Sequence, residues 1–185
     1  MTRGFVLDPS AKRTDDNASP GPDAGPLAGK VIGIRLDQIW RCWDWLGEQW
    51  AEKFIAQGAT VSYWRSCGRS GEEGERMARD LTEWLKTIDI AVVGLANCGS
   101  CTGWTIRDAI SAANIGIPTV AVATKNFEDF SHTLATRGGR SGLRVHVLPY
   151  PLNELVKSEV NAIGEQYYDG LLDVMGVPSA KENAA

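Results

Sequence analysis

A chain of 185 residues, 43% hydrophobic and 23% charged, has material for one core and too little for two ordinary domains. A formal net charge of -4 is the opposite of the basic footprint of a nucleic-acid-binding surface, so no nucleic-acid partner is expected. No run approaches the roughly 18 apolar residues that span a bilayer, and Met1-Thr2-Arg3-Gly4-Phe5 leads into no export-type apolar segment, so a soluble cytoplasmic protein with no membrane partner is expected.

Residues 1–27 carry Pro9, Pro20, Pro22 and Pro26 among Ser, Asp, Gly and Ala, too little apolar area to offset the cost of ordering. They predict an extended or disordered N-terminal arm, in which Phe5-Val6-Leu7 is the one piece able to dock on another subunit. A single α/β domain is expected over 28–177 and a frayed tail over 178–185. Val31-Ile32-Gly33-Ile34 reads as a buried first strand. Ile39, Trp43, Leu46, Trp50 and Phe54 follow at helical spacing, and Gly58 closes that helix. Thr60 to Trp64 is a second strand, Gly68, Gly71 and Gly74 mark a loop, and a helix over about 75–87 leads to a third strand, Ile90 to Leu95. A helix over about 105–114, a strand from Thr119 to Val122, a helix over 127–136, a strand from Leu143 to Val147 and a helix over 158–175 complete the pattern. Strands alternating with helices predict a doubly wound, flavodoxin-like parallel sheet of about five strands.

In such sheets ligands bind beyond the carboxyl ends of the strands, where strand order reverses. With the order 2-1-3-4-5, the third strand delivers Asn97-Cys98-Gly99-Ser100-Cys101-Thr102 into that crevice. A thiol there meets backbone N–H groups and the positive end of the next helix, both of which favour thiolate, so Cys98 is expected to ionise below the reference thiol value of about 8.5. Gly99 suits a tight turn, and Ser100 or Thr102 suits a helix cap. The bland alternative is that Cys98 and Cys101 are small apolar fillers. A thioredoxin-type reading fits poorly, because two strand-helix units precede the motif.

Cys101, Trp104, Asp108 and Ser111 recur on one helix face. Trp104 there roofs a pocket or packs in the core. Asp108 acts as an acid, orients a donor, or pairs with Thr105 as a surface capping carboxylate. Arg35, Asp37 and Arg41, after the first strand, face the same crevice, where an arginine can grip a carboxylate substrate or stand in solvent. Cys42 and Cys67 also map to the carboxyl edge. Cys42 is expected to approach disulfide distance from Cys98, and Cys67, one strand further out, to be too remote. His132 and His146 sit in no motif, and a histidine in a strand is more often structural.

The stretch Val93-Gly94-Leu95-Ala96-Asn97-Cys98-Gly99-Ser100-Cys101-Thr102-Gly103-Trp104-Thr105-Ile106-Arg107-Asp108-Ala109, followed by Gly116-Ile117-Pro118-Thr119-Val120, resembles the UGSC family. That family's signature places selenocysteine or cysteine before Gly-Ser-Cys-Thr. Val6-Leu7-Asp8-Pro9, Gly29-Lys30-Val31-Ile32-Gly33 and Pro149-Tyr150-Pro151-Leu152 extend the resemblance over most of the chain. A position shared by selenocysteine and cysteine implies nucleophilic or redox chemistry, with Cys98 as the reactive atom and Cys101 as its neighbour. Tyr150 stands where Pro-His-Pro is commoner in the family, which removes a histidine base there.

Three readings remain. The first is a cysteine-dependent enzyme acting on a small electrophilic substrate through the Cys98 thiolate, by covalent adduct or by thiol redox chemistry with Cys101. Cys98, Cys101 and Asp108 are then the catalytic candidates, and Arg35, Asp37, Asn97, Gly99, Ser100, Thr102, Trp104 and Tyr150 the substrate-binding ones. The second is a metal-binding protein, disfavoured because only one CxxC pair exists. The third is a non-catalytic partner subunit whose helix with Trp40, Trp43, Trp45 and Trp50 serves as a homodimeric or heteromeric interface, since Trp40 and Trp45 cannot both face the core. A dinucleotide site is disfavoured, as no GxGxxG follows the first strand, and no cofactor is expected.

Overall fold

The computed structural model describes residues 14–178. Five parallel strands, β1 (Val31–Leu36), β2 (Thr60–Arg65), β3 (Ile90–Ala96), β4 (Thr119–Thr124) and β5 (Arg144–Leu148), form one sheet in the order β2-β1-β3-β4-β5. Between and after them run α1 (Arg41–Ala56), α2 (Gly71–Leu85), α3 (Gly99–Asn114), α4 (Glu128–Arg137) and α5 (Lys157–Met175). This is the doubly wound, flavodoxin-like arrangement.

Alternation along the strands divides the core into two layers. Ile32, Ile34, Val92, Val120, Val122 and Leu148 face α1 and α5, where Trp43, Trp50 and Phe54 fill the space. Ala91, Val93 and Ala121 face α2, α3 and α4. Covered on both faces, β3 is buried at all seven positions, which is why it reads as an unbroken apolar run. Trp40 and Trp45 are half-buried against the α1 layer of their own domain.

Three expectations are corrected. Ile39 is 64% exposed rather than part of the helix face. The Asp37 carboxylate accepts the Ile39 and Trp40 N–H groups at 2.9 and 3.0 Å, which holds both residues in a turn before α1 begins. α2 begins at Gly71 instead of about residue 75, and α3 at Gly99 instead of about 105. The latter shift moves Cys101 from a loop into the first turn of a helix.

Residues 14–27 form no helix or strand, yet they are tied to the domain. The Ala24 N–H reaches Met175 O at 2.9 Å, the Asn17 N–H reaches Gly139 O at 2.9 Å, and Arg144 Nη2 donates to Asp23 at 2.6 Å. Ala24 and Leu27 are buried. Phe5-Val6-Leu7 and the tail beyond Pro178 lie outside the described residues. Among those described, no helix is long and apolar enough to cross a membrane.

Candidate functional site

The carboxyl ends of β1 and β3 lie side by side, and chain order reverses between them. Cys98 leaves β3 still extended (φ -154°, ψ 170°) and is the residue preceding the first turn of α3. Its sulfur accepts the Cys101 N–H at 3.1 Å. Cys98 thus caps the helix itself, in place of Ser100 or Thr102. The Thr102 hydroxyl donates back to Cys98 O at 2.6 Å, and Ser100 Oγ stands 3.5 Å from the Cys98 sulfur. Gly99 does not have a positive φ, so it serves no tight turn, and a Cβ added there would meet nothing within 4 Å. Cys98 and Cys101 are joined as a disulfide with their Cα atoms 5.2 Å apart. Cys98 is half-buried, whereas Cys101 is 6% exposed and lines a chamber of about 140 Å³.

Helical spacing places Cys101, Trp104 and Asp108 on one face of α3, and that face meets charged side chains from the neighbouring strand ends. Arg35 is 2% exposed, donating through Nε to Asp108 at 2.9 Å and through Nη1 to Gly94 O at 2.7 Å. Burial pulls its guanidinium below the ordinary arginine value, and the Asp108 carboxylate opposes that pull. Asp108 is buried too, and Arg69 Nη1 donates to its second oxygen at 3.2 Å while Arg69 Nη2 pairs with the first. Asp108 is therefore neither a surface carboxylate nor a capping partner of Thr105, whose hydroxyl has no hydrogen-bond partner among the described residues. Among the described residues its hydrogen bonds are acceptances from Arg35 and Arg69, so it holds both guanidinium groups in place.

Arg69 is the residue that spacing did not reveal. It sits two residues past Cys67, its guanidinium stacked between the Trp64 ring at 5.5 Å and the Trp104 ring at 5.1 Å. Arg35, Asp37, Ser100 and Trp104 line the 140 Å³ chamber with it. Arg69 and Trp104 also wall a second cleft of about 400 Å³ between α2 and α3, so the two spaces share a boundary. Trp104 is thus a partition between two cavities, with Arg107 on its ring at 5.5 Å.

Other candidates lie elsewhere. Asn97 is buried, accepting from Thr124 Oγ1 at 2.9 Å and donating to Asn153 at 3.0 Å, which ties the end of β3 to the segment after β5. Tyr150 is 42% exposed and packs edge-on against Phe127, away from the residues of the chamber. Arg41 lies over Trp45 at 5.7 Å instead of in the crevice. His146 is buried between Trp50 and Tyr167, and desolvation pushes it down to about 4.

The expected approach of Cys42 to Cys98 is not met, while Cys67 is free as expected. Cys42 faces the core between the sheet and α1, 3% exposed, where burial pushes its thiol up to about 11. α3 packs on the opposite face of the sheet, so adjacency of strands β1 and β3 does not bring Cys42 to the chamber. Cys67 is half-buried and lines the chamber together with Cys101. Among the described residues, no three His, Cys, Asp or Glu side chains are grouped so as to hold a metal ion.

No curated protein matches this chain. The model of the UGSC family matches residues 5–177, through all five strands to the residue beyond α5 and its cap, with Cys98-Gly-Ser-Cys101 at the junction of β3 and α3; the chain belongs to the UGSC family.

Proposed function

We propose that the protein is a thiol-dependent enzyme in which Cys98 attacks a small electrophilic substrate and Cys101 resolves the product. The observation that carries this reading is the placement of Cys98. It caps α3 at the reversal point of the sheet, its sulfur takes an N–H from Cys101, and it is already bonded to Cys101. Backbone N–H groups and the helix dipole at such a position stabilise a thiolate.

In the reduced state the chemistry runs in two steps on a substrate with electrophilic sulfur. The Cys98 thiolate attacks that sulfur, a sulfur–sulfur bond forms, and the leaving group departs with the bonding pair and takes a proton. The Cys101 thiol, having given up its proton, then attacks the Cys98 sulfur. The substrate sulfur leaves as a thiolate, and the Cys98–Cys101 disulfide remains. The substrate has gained two electrons and the enzyme has lost two. Exchange with an external dithiol resets the pair, as a reducing compartment such as the cytoplasm would provide. With a carbon electrophile the reaction stops at the covalent adduct. The disulfide favours the redox branch.

Arg69 and Arg35 at the chamber wall suit a substrate that bears a carboxylate, with Ser100 Oγ beside the attacking sulfur. Asp37 stays at the wall as the carboxylate that fixes the turn before α1. Competitive alkylation of the reduced protein with limiting iodoacetamide tests the assignment. Cys98 should be modified before Cys67 and Cys42, and a labelling order led by Cys67 would overturn it.

A further inference from the structure

Cys67 carries no role in the two-step scheme, yet it shares a chamber with Cys101. Strand order alone would keep them apart, because the ends of β2 and β3 are two strand spacings distant, about 9.6 Å. The segment after β2 is drawn across that gap. Two residues beyond Cys67, the Arg69 guanidinium binds both oxygens of Asp108 on α3 and lies on the Trp104 ring. Asp108 and Trp104 stand on the same face of α3 as Cys101, seven and three residues further along the helix. Seven helical residues rise about 10.5 Å and three about 4.5 Å, while two extended residues reach back about 7 Å. Arg69 and Trp104 hold the wall of the chamber that Cys67 and Cys101 both line. The Cys67 N–H is itself held, donating to Met77 Sδ at 3.3 Å. Its side chain is half-buried, so its sulfur is not sealed away as that of Cys42 is.

We propose that Cys67 is a third redox thiol of the site, which exchanges with the Cys98–Cys101 disulfide through the shared chamber. The Cys67 thiol loses its proton to solvent and attacks the Cys101 sulfur. A Cys67–Cys101 bond forms, the Cys98–Cys101 bond breaks, and Cys98 leaves as a thiolate. No outside oxidant or reductant is consumed in this step. Its effect is to store the oxidising equivalents in the chamber while freeing Cys98, the more exposed of the pair, for the next substrate or the external dithiol. The Arg69–Asp108 pair is the positioning element.

This step rests on the reading of Cys98 and Cys101 as a redox pair, and the test separates the two. The full chain is oxidised with diamide, quenched in acid, alkylated and mapped by mass spectrometry. For the wild type, the Cys98–Cys101 link checks the pair itself. The Cys98→Ser protein keeps a good helix cap, and circular dichroism verifies that it is folded. In this variant Cys67 and Cys101 should both lose their free thiols and appear as one linked peptide pair. Arg69→Met should reduce that link severalfold while the wild-type-like Cys98–Cys101 link still forms in a background that retains Cys98. A Cys98→Ser protein in which Cys67 and Cys101 both stay alkylatable, beside a wild type that forms Cys98–Cys101 normally, would overturn the role of Cys67 and leave the redox pair standing. A Cys67–Cys101 link without any wild-type Cys98–Cys101 link would overturn the pair and with it the exchange.

Discussion

Removing the Asp108 carboxylate should be among the most damaging single changes in the chain. Asp108→Ala leaves Arg35 with its charge 2% exposed, its Nε contact gone, and only Gly94 O and the Asp37 carboxylate at 3.9 Å as partners. It also frees Arg69, which loses both acceptors. Taking one partner from a buried ion pair costs about 3–5 kcal/mol, because the remaining charge stays desolvated. An exposed pair behaves differently. Asp44→Ala breaks the contact with Arg65, whose side chains are 43% and 32% exposed, and should cost no more than about 0.5–1 kcal/mol. Urea unfolding of both variants beside the parent measures the difference, provided the slope with denaturant is unchanged. A domain of this size loses roughly 2–4 °C per kcal/mol, so thermal melts give a second reading. If Asp108→Ala costs no more than Asp44→Ala, the buried arginine network does not hold the chamber wall together.

Three further outcomes follow from buried groups. His146, pushed down to about 4, is neutral in the fold but takes a proton near 6.5 when unfolded. Its lowered value gives stability that is present above about 6.5 and is lost as pH falls towards 4, by up to ~3 kcal/mol; His146→Phe should flatten the acid limb of a stability-against-pH curve. The Cys42 thiol, raised to about 11 from 9.0, works at the other end. Stability is full below about 9 and falls as pH rises towards 11, at a slope of at most about 1.4 kcal/mol per pH unit, and Cys42→Ala should remove that contribution in alkaline urea titrations. Leu27, 3% exposed in the strap before β1, should cost about 2–5 kcal/mol on replacement by alanine, and a loss below about 0.5 kcal/mol would show that the strap is not part of the core.

The sheet and the motif's position were legible because they depend on local pattern. β3 is apolar at every residue since both its faces are covered, and the strand-helix alternation admits few topologies. The shared face of Cys101, Trp104 and Asp108 follows from helical geometry alone. What that face meets does not. Arg69 reaches Asp108 across 39 residues of sequence, through a glycine-bearing segment whose course no periodicity describes. The placement of Cys42 was not legible for a related reason: strand adjacency does not say on which side of the sheet each helix packs. The early start of α3 was not legible because cysteine is not among the usual capping residues. Ala24 and Leu27 show the limit of composition, since two buried side chains and a few backbone hydrogen bonds dock a segment whose average is that of a linker.

The most direct test of the thiol mechanism is to trap its first intermediate. Reduced Cys101→Ser protein, mixed with hydroxyethyl disulfide and analysed by intact mass and peptide mapping, should accumulate one mixed disulfide on Cys98. The wild type under the same conditions should release the thiol and retain only the Cys98–Cys101 bond, and Cys98→Ser should form no such adduct at position 98. Mixed disulfide found on Cys67 or Cys42 with Cys98 unmodified, or equal trapping with and without Cys98, would contradict the account.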